Sequence, residues 1–311
     1  MLASVRAAAG PQALVDLYGS AVYAPDHAAD VDVLVSHKDA ARLAAELDFE
    51  LIPTTPPRLR GELHGVDVDI RVVNGNTDHA RRMRLGPRDA ALLAAQRTPA
   101  FEAAWPYVLR FVRLRGLGVN GLGYFGSFGW ALLLAAPFVG DLRDTPPAQA
   151  LPRWFRWLAN LSLGARVGFA GVRRSDGEPL YIEAPAPPVR DVGRLTRRAA
   201  MVILAEARVV AATQATSNDE AIGRIQDLAR DPPPGTTLTI TGSDDESRGR
   251  YEGMARGLLR ELEALGPTRS WGRFDPAPGG WQHRITVRRA EQARTLVEYW
   301  LASSRIDAIV D

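Results

Sequence analysis

Leu17-Tyr-Gly-Ser-Ala-Val-Tyr-Ala-Pro-Asp-His-Ala-Ala-Asp-Val-Asp-Val-Leu-Val35 decides the reading of this chain. An apolar run through Leu14, Val15 and Leu17 ends at the tight pair Gly19-Ser20. A short helix opens there and Pro25 stops it. Asp30 and Asp32 then alternate with Val31, Val33 and Val35, the period-two pattern of a strand. Alternation sends both carboxylates to one face of a sheet and the valines to the other. Gly65-Val-Asp-Val-Asp-Ile-Arg-Val-Val73 repeats the design with Asp67 and Asp69. Carboxylates converging from neighbouring strands repel one another at neutral pH unless a counter-charge offsets them, and a pair of divalent metals supplies one.

The 311 residues allow two or three domains. A content of 46% hydrophobic and 24% charged residues is ordinary for a soluble globular protein. The longest apolar stretch, Trp130 to Val139, contains Pro137 and falls short of the roughly 18 residues of a membrane span. The N-terminus lacks the basic, apolar and small-residue order of a secretion signal, so the expectation is a cytoplasmic protein without membrane contact. The absence of cysteine excludes disulfides and thiolate metal sites. A net charge of +2 does not announce nucleic-acid binding. Lys38 is the only lysine, so nearly every phosphate contact must come from arginine forks, backbone N–H groups or hydroxyls.

Beyond the opening stretch, Lys38 to Leu47 has the spacing of an amphipathic helix, and Phe49 to Ile52 that of a short strand. Residues 1–85 therefore make a small mixed sheet with helices against it. From Gly86-Pro87 to 235 the character is helical, with Pro87 to Gln96, Phe101 to Arg115, Trp130 to Phe138, Pro152 to Leu163 and Asp219 to Arg230 as helices. Inside this region lies the glycine-crowded Arg115-Gly-Leu-Gly-Val-Asn-Gly-Leu-Gly-Tyr-Phe-Gly-Ser-Phe-Gly129, suited to close approach of backbone and ligand. Glu183-Ala-Pro-Ala-Pro-Pro188 reads as an extended linker and Asp231-Pro-Pro-Pro-Gly235 as a boundary. Residues 236–311 follow the order β-α-β-β-α-β of a ferredoxin-like or RNA-recognition-type domain. The fold class expected is α+β in three parts.

Three stretches together resemble the eukaryotic-type poly(A) polymerases of the polymerase-β-like nucleotidyltransferase superfamily. The superfamily signature is a Gly-Ser pair, an Asp-x-Asp about ten residues on, and a third Asp on a later strand. Here these are Gly19, Ser20, Asp30, Asp32 and Asp69, with Asp69 rather than Asp67 matching the third position. Asn120, Gly123, Gly126 and Trp130 keep the spacing of the poly(A) polymerase nucleotide segment. Leu109 stands where that family has its triphosphate lysine, with Arg110 beside it, and Gly118 where it has an aromatic residue.

The resemblance implies a catalytic palm over 1–85, a helical middle domain over 86–235 and an RNA-binding domain over 236–311. It implies template-independent addition of AMP from ATP to an RNA 3′ end; the alternatives are another base or another acceptor (a nucleotide, a tRNA end or a protein hydroxyl), or an RNA-binding scaffold with a decayed active site. Asp30, Asp32 and Asp69 would hold two Mg²⁺ ions, with Mn²⁺ as the substitute, for in-line attack on the α-phosphate. Gly19, Ser20, Arg110, Arg113, Asn120, Gly126 and Ser127 would bind the nucleotide, and Thr216, Asn218, Arg284 and Arg288 the RNA. Charge alone adds Arg248, Arg250 and Arg289 to that RNA patch. Each has a plainer reading. Asp-Val-Asp is common on solvated strand edges, Gly-Ser caps many strand-to-helix turns, Arg110 and Arg113 share an exposed helix face, and Thr216 and Asn218 stand where a helix N-cap is wanted. Asp67 is read as an exposed acid, and Trp105, Trp130, Trp154 and Trp157 as core.

Overall fold

Val33 and Val35 are fully buried on one face of their strand, while Asp32, on the other face, is only partly covered. The computed structural model describes residues 1–28, 30–74, 78–118, 124–174, 179–188, 190–192, 195–230, 235–266, 269–277 and 280–311. Its first unit takes in 1–97 together with a returning strap, 184–190. The elements are α1 (Leu2–Ala9), β1 (Val15–Tyr18), α2 (Ser20–Tyr23), β2 (Val31–Ser36), α3 (Ala40–Leu47), β3 (Glu50–Ile52), β4 (Arg58–Leu63), β5 (Val66–Val73), α4 (Asp78–Met83) and α5 (Leu85–Ala95). The strands lie in the order β1-β2-β5-β4-β3, with β2 and β5 parallel and the other neighbours antiparallel.

One face of this sheet carries the core. Val15, Val33, Val35, Leu59, Val68, Ile70 and Val72 pack there with Val5 of α1 and Leu43 of α3. Fully burying a side chain of this size is worth about 1.5–3 kcal/mol, so the apolar half of the alternation holds the sheet in register. Asp39 caps α3 by accepting the Arg42 N–H at 2.9 Å. On the opposite face, Ala80 of α4 covers Leu34 and Val73, with Tyr18 and Met83 at the rim. α5 packs against β1 and α2 and so belongs to this unit.

The second unit takes in 98–183 and 191–311. Its helical part contains α6 (Pro99–Leu114), α7 (Ser127–Val139), α8 (Ala150–Ala159), β6 (Ala165–Gly168), β7 (Gly171–Arg174), β8 (Leu180–Ile182), α9 (Arg197–Ala212) and α10 (Asn218–Arg230). Thr98 caps α6 by accepting from the Phe101 N–H at 3.1 Å, with Pro99 in the first turn. Trp105, Trp130 and Trp154 are core residues, and the indoles of the last two donate to the carbonyls of Leu117 (3.2 Å) and Leu133 (3.1 Å). The small sheet β7-β6-β8 was not expected: its strands are three or four residues long and show no sustained alternation.

The C-terminal part of the second unit contains β9 (Thr236–Gly242), α11 (Asp245–Leu265), β10 (Arg269–Ala277), β11 (Gly280–Val287), α12 (Ala290–Ser303) and β12 (Ala308–Val310). Its strands lie antiparallel in the order β10-β11-β9-β12, the arrangement of a βαββαβ domain. It has its own core, built around Tyr251, Leu258, Trp281, Ile285, Val297 and Trp300. Among the described residues, no helix is long and apolar enough to cross a membrane.

Candidate active site

Cross-strand register lays the acidic residues of the first unit in a row. Tyr18 of β1 stands opposite Asp32 of β2, Asp32 opposite Asp69 of β5, and Asp69 opposite Arg60 of β4. Directly opposed residues share a face, so these four side chains rise from the sheet side away from the valine core. Asp30 sits exposed, one residue before β2 begins. Asp67, on the same face as Asp69, is exposed opposite Glu62 at the strand start.

Gly19 closes the row from the side. Its φ is 71°, a left-handed conformation that favours glycine, and a Cβ built there would fall on Oδ2 of Asp32 and within 2.9 Å of its Cγ. The Asp32 carboxyl is therefore packed against bare backbone, and it is the acid that requires a glycine at 19. Ser20 opens the four-residue α2, with Gly19 at the capping position.

The electrostatics follow from that packing. Burial, and then the anions of Asp30 and Asp69, push the Asp32 carboxyl up to about 6, against the opposing pull of Arg71 and Arg58. Asp69 has a partner of its own: Arg58 donates through Nε to Oδ1 at 3.2 Å and through Nη2 to Oδ2, while Arg60 Nη2 stands at 4.0 Å. The Tyr18 hydroxyl is buried with no hydrogen-bond partner among the described residues, and burial holds its pKa above the usual range. Three carboxylates, an orphaned hydroxyl and a glycine cradle make a hard-oxygen donor set of the kind Mg²⁺ takes. Among the described residues no three such groups already stand as a coordination sphere, and Arg58 is the charge that now neutralises Asp69.

The other residues singled out from sequence are in the second unit. Arg110 and Arg113 are exposed on α6. With the Gln226 amide turned so that its oxygen faces the guanidinium, Arg110 donates to it, at 3.3 Å from Nη1, which ties α6 to α10. Gly126 is the N-cap of α7 and Ser127 its first residue. Asn120 and Gly123 lie outside the described residues. Asn218 is buried, its Oδ1 accepting from Leu151 N at 2.9 Å and its Nδ2 donating to Pro147 O at 3.0 Å, so both ends of its amide hold the turn before α8. Thr216 joins a capping arrangement: its N–H and hydroxyl donate to Glu220 at 2.8 and 2.9 Å, and Ser217 Oγ accepts from Glu220 N at 3.2 Å. For Thr216 the plainer, helix-cap reading describes the contacts it makes, whereas the Asn218 amide bonds the turn before α8 and not its own helix.

In the C-terminal part, Arg284 is exposed on β11 and Arg288 in the turn after it. Arg289 caps α12 without a side-chain bond, and Arg250 pairs with Glu246 at 2.6 Å. The aromatic ring of Trp281 and the imidazole of His283 lie on the helix-covered face, His283 Nδ1 within 2.6 Å of the Tyr251 hydroxyl. The open face of β9 and β11 is made of Thr239, Thr241, Gln282 and Arg284, so these strands offer hydrogen bonds and charge to a ligand, with no aromatic ring to stack a base.

Sequence reading missed several residues at and beside the site. Arg58 and Arg60 alternate along β4 and so face Asp69, a signal present in Arg58-Leu-Arg60 but unreadable before the strand was recognised. Arg115 forms a buried bidentate pair with Glu206 (2.7 and 3.0 Å), and the Trp130 indole holds Leu117 O, so both flanks of the glycine-crowded segment are anchored. The pair joins residues far apart in sequence, and no local pattern announces it.

No protein-family model matches the chain, and no curated protein matches it either. Solved structures do. Terminal uridylyl transferase 4 from Trypanosoma brucei with bound UPU is 18% identical over 72% of this chain and 91% of that one, with a TM-score of 0.53. Cid1 in complex with its short product ApU is 16% identical over 71% and 89%, with a TM-score of 0.52. The Cid1 poly(U) polymerase with Mg and 3′-dATP is 17% identical over 70% and 87%, with a TM-score of 0.50. At such identities the likeness is one of fold alone: this chain has the fold of these terminal uridylyl transferase structures.

Proposed function

We propose that this protein is a template-independent nucleotidyltransferase that adds AMP from ATP to RNA 3′ ends. The observation that carries the reading is the Asp32–Asp69 pairing across parallel strands with Gly19 packed against Asp32, which concentrates negative charge where a nucleotide's metal ions would be needed. Asp30, Asp32 and Asp69 are assigned as the metal-holding carboxylates. Bound there, divalent metal would lower the pKa of the attacking hydroxyl and neutralise the triphosphate. Arg58 orients the Asp69 carboxyl in the absence of that charge. The Tyr18 hydroxyl, buried beside the row, is assigned as a donor to whatever ligand the carboxylates hold. Nucleotide contacts for Ser20, Arg113, Asn120, Gly126 and Ser127, and RNA contacts for Arg284 and Arg288, rest on the sequence resemblance.

The uridylyl transferases of the same fold favour a second reading of the donor, UTP in place of ATP. The test is one screen: purified protein with Mg²⁺, each labelled nucleoside triphosphate in turn, with and without a short RNA, and product identification. Extension of RNA by A supports the first reading, and extension by U the second. Product formed without RNA points to another acceptor. Incorporation undiminished in the Asp30→Ala/Asp32→Ala variant would sink both.

A further inference from the structure

Four arginines close together on α4 and α5 were not among the residues assigned above. Arg81, Arg82, Arg84 and Arg88 line one cavity of about 950 Å³ in the first unit, together with Asp16 and with Pro187-Pro188 of the strap. Of these, Arg82 and Arg88 are exposed and without an ion-pair partner among the described residues, so they present positive charge at the cavity in a chain whose net charge is only +2. The strap's place there is built rather than incidental. Asp89 of α5, 2% exposed, accepts from Ala186 N at 2.9 Å and from Arg190 Nη2, and Arg190 Nη1 donates to Ala186 O at 2.9 Å. A buried carboxylate thus fastens the strap where it lines the cavity with the arginines.

The cavity also has a defined place relative to the acidic row. Asp16 precedes Tyr18 by two positions on β1, one pleat repeat or about 6.8 Å, and alternation puts it on the same sheet face. Arg84 reaches that face too, with Nη2 3.5 Å from Ser36 Oγ at the end of β2. A chain of phosphates whose end met Tyr18 and Asp32 would enter the arginine cavity within a residue or two. Guanidinium forks match phosphate oxygens in shape and charge, and the volume exceeds what a single phosphate needs.

We propose that this cavity binds the phosphodiester backbone of the RNA acceptor strand just upstream of its 3′ end, a subsite within the catalytic unit itself. The assignment rests on the nucleotidyl-transfer reading for the direction of the strand, and its test is a binding measurement that needs no turnover. Arg82 and Arg88 are exposed and have no ion-pair partner among the described residues, so Arg82→Ala/Arg88→Ala removes charge without opening a core. A labelled RNA oligonucleotide ending in a 3′-deoxynucleotide is titrated by anisotropy at several salt concentrations, beside a fluorescent ATP analogue and a thermal melt of each protein.

The expected result is a Kd for RNA raised tenfold or more in the double variant. The salt slope should fall by about one to two, ATP-analogue binding should hold within twofold, and the melting temperature should not change. An RNA Kd and salt slope matching wild type would overturn the subsite, as would failure of the wild type to bind the oligonucleotide. A parallel loss of ATP-analogue binding would overturn it in favour of a free-nucleotide pocket. Absence of transfer activity with every nucleotide would defeat the functional reading alone, leaving the RNA-binding difference to stand or fall by itself.

Discussion

The backbone of Gly19 and the carboxyl of Asp32 occupy adjoining space, so that a single added carbon at residue 19 would collide with Oδ2 of Asp32. Gly19→Ala meets two costs at once: a left-handed φ of 71° and displacement of the acid. Strain of that kind costs on the order of 1–3 kcal/mol. The expected outcome is a lower melting temperature together with loss of metal-dependent nucleotide binding by calorimetry. Ser20→Ala, which adds no bulk, should leave the melt unchanged.

Asp32 makes the metal-free protein sensitive to pH in a defined direction. Its folded pKa, about 6, lies above its ordinary value of 3.8. Between those values the native state keeps a proton that the unfolded chain releases, so this group's contribution to stability falls as pH rises through that window and stays reduced above it. In the presence of a chelator, Asp32→Asn should melt higher than wild type at pH 7.5 and equal to it near pH 4. An Asn variant no more stable than wild type at pH 7.5 would contradict the origin assigned to the shift. Added Mg²⁺ should raise the wild-type melt and leave the Asn variant little changed, since only ligand binding to the native state stabilises it.

Asp89 fastens the strap 184–190 to α5 through Ala186 and Arg190. Asp89→Ala removes both bonds and leaves buried donors unmatched, a loss of about 2–3 kcal/mol. Asp89→Asn, which can still accept from Ala186 N, should lose less. Protease cleavage within the strap, followed by mass spectrometry, should rise in the order wild type, Asn, Ala.

Arg115 and Glu206 are both almost fully buried and answer one another's charge. Removing either alone should destabilise by about 3–5 kcal/mol, and removing both should cost much less than the sum, because most of each single loss is an abandoned charge. A double-variant cycle by chemical denaturation measures the coupling. Strict additivity would show that the pair does not act as a unit.

The sheet of the first unit was legible because its strands carry uninterrupted two-residue alternation, and β2 and β5 were placed within a residue of where they lie. The βαββαβ order of 236–311 was legible for the same reason, most of its elements being long and separated by clear turns. The sheet β7-β6-β8 was not, since strands so short are made by their partners rather than by their own pattern. Asn218 and Thr216 show the limit on sites. A short polar residue at a helix start has the same appearance in sequence whether it caps the helix, bonds another turn or faces a ligand, and only its bonds tell which.

Local chemistry alone therefore determined the acidic strand pair and the Gly-Ser turn beside it, because alternation, glycine and turn residues act over a few positions. Tertiary structure decided what the acids meet. Strand register put Asp32 beside Asp69, β4 brought Arg58 to neutralise the latter, and a strap from about a hundred residues away came to line one cavity with the arginines of α4 and α5. Each of these joins residues with no local relation to one another, and such contacts exist only once burial of the apolar faces has chosen a single register and packing.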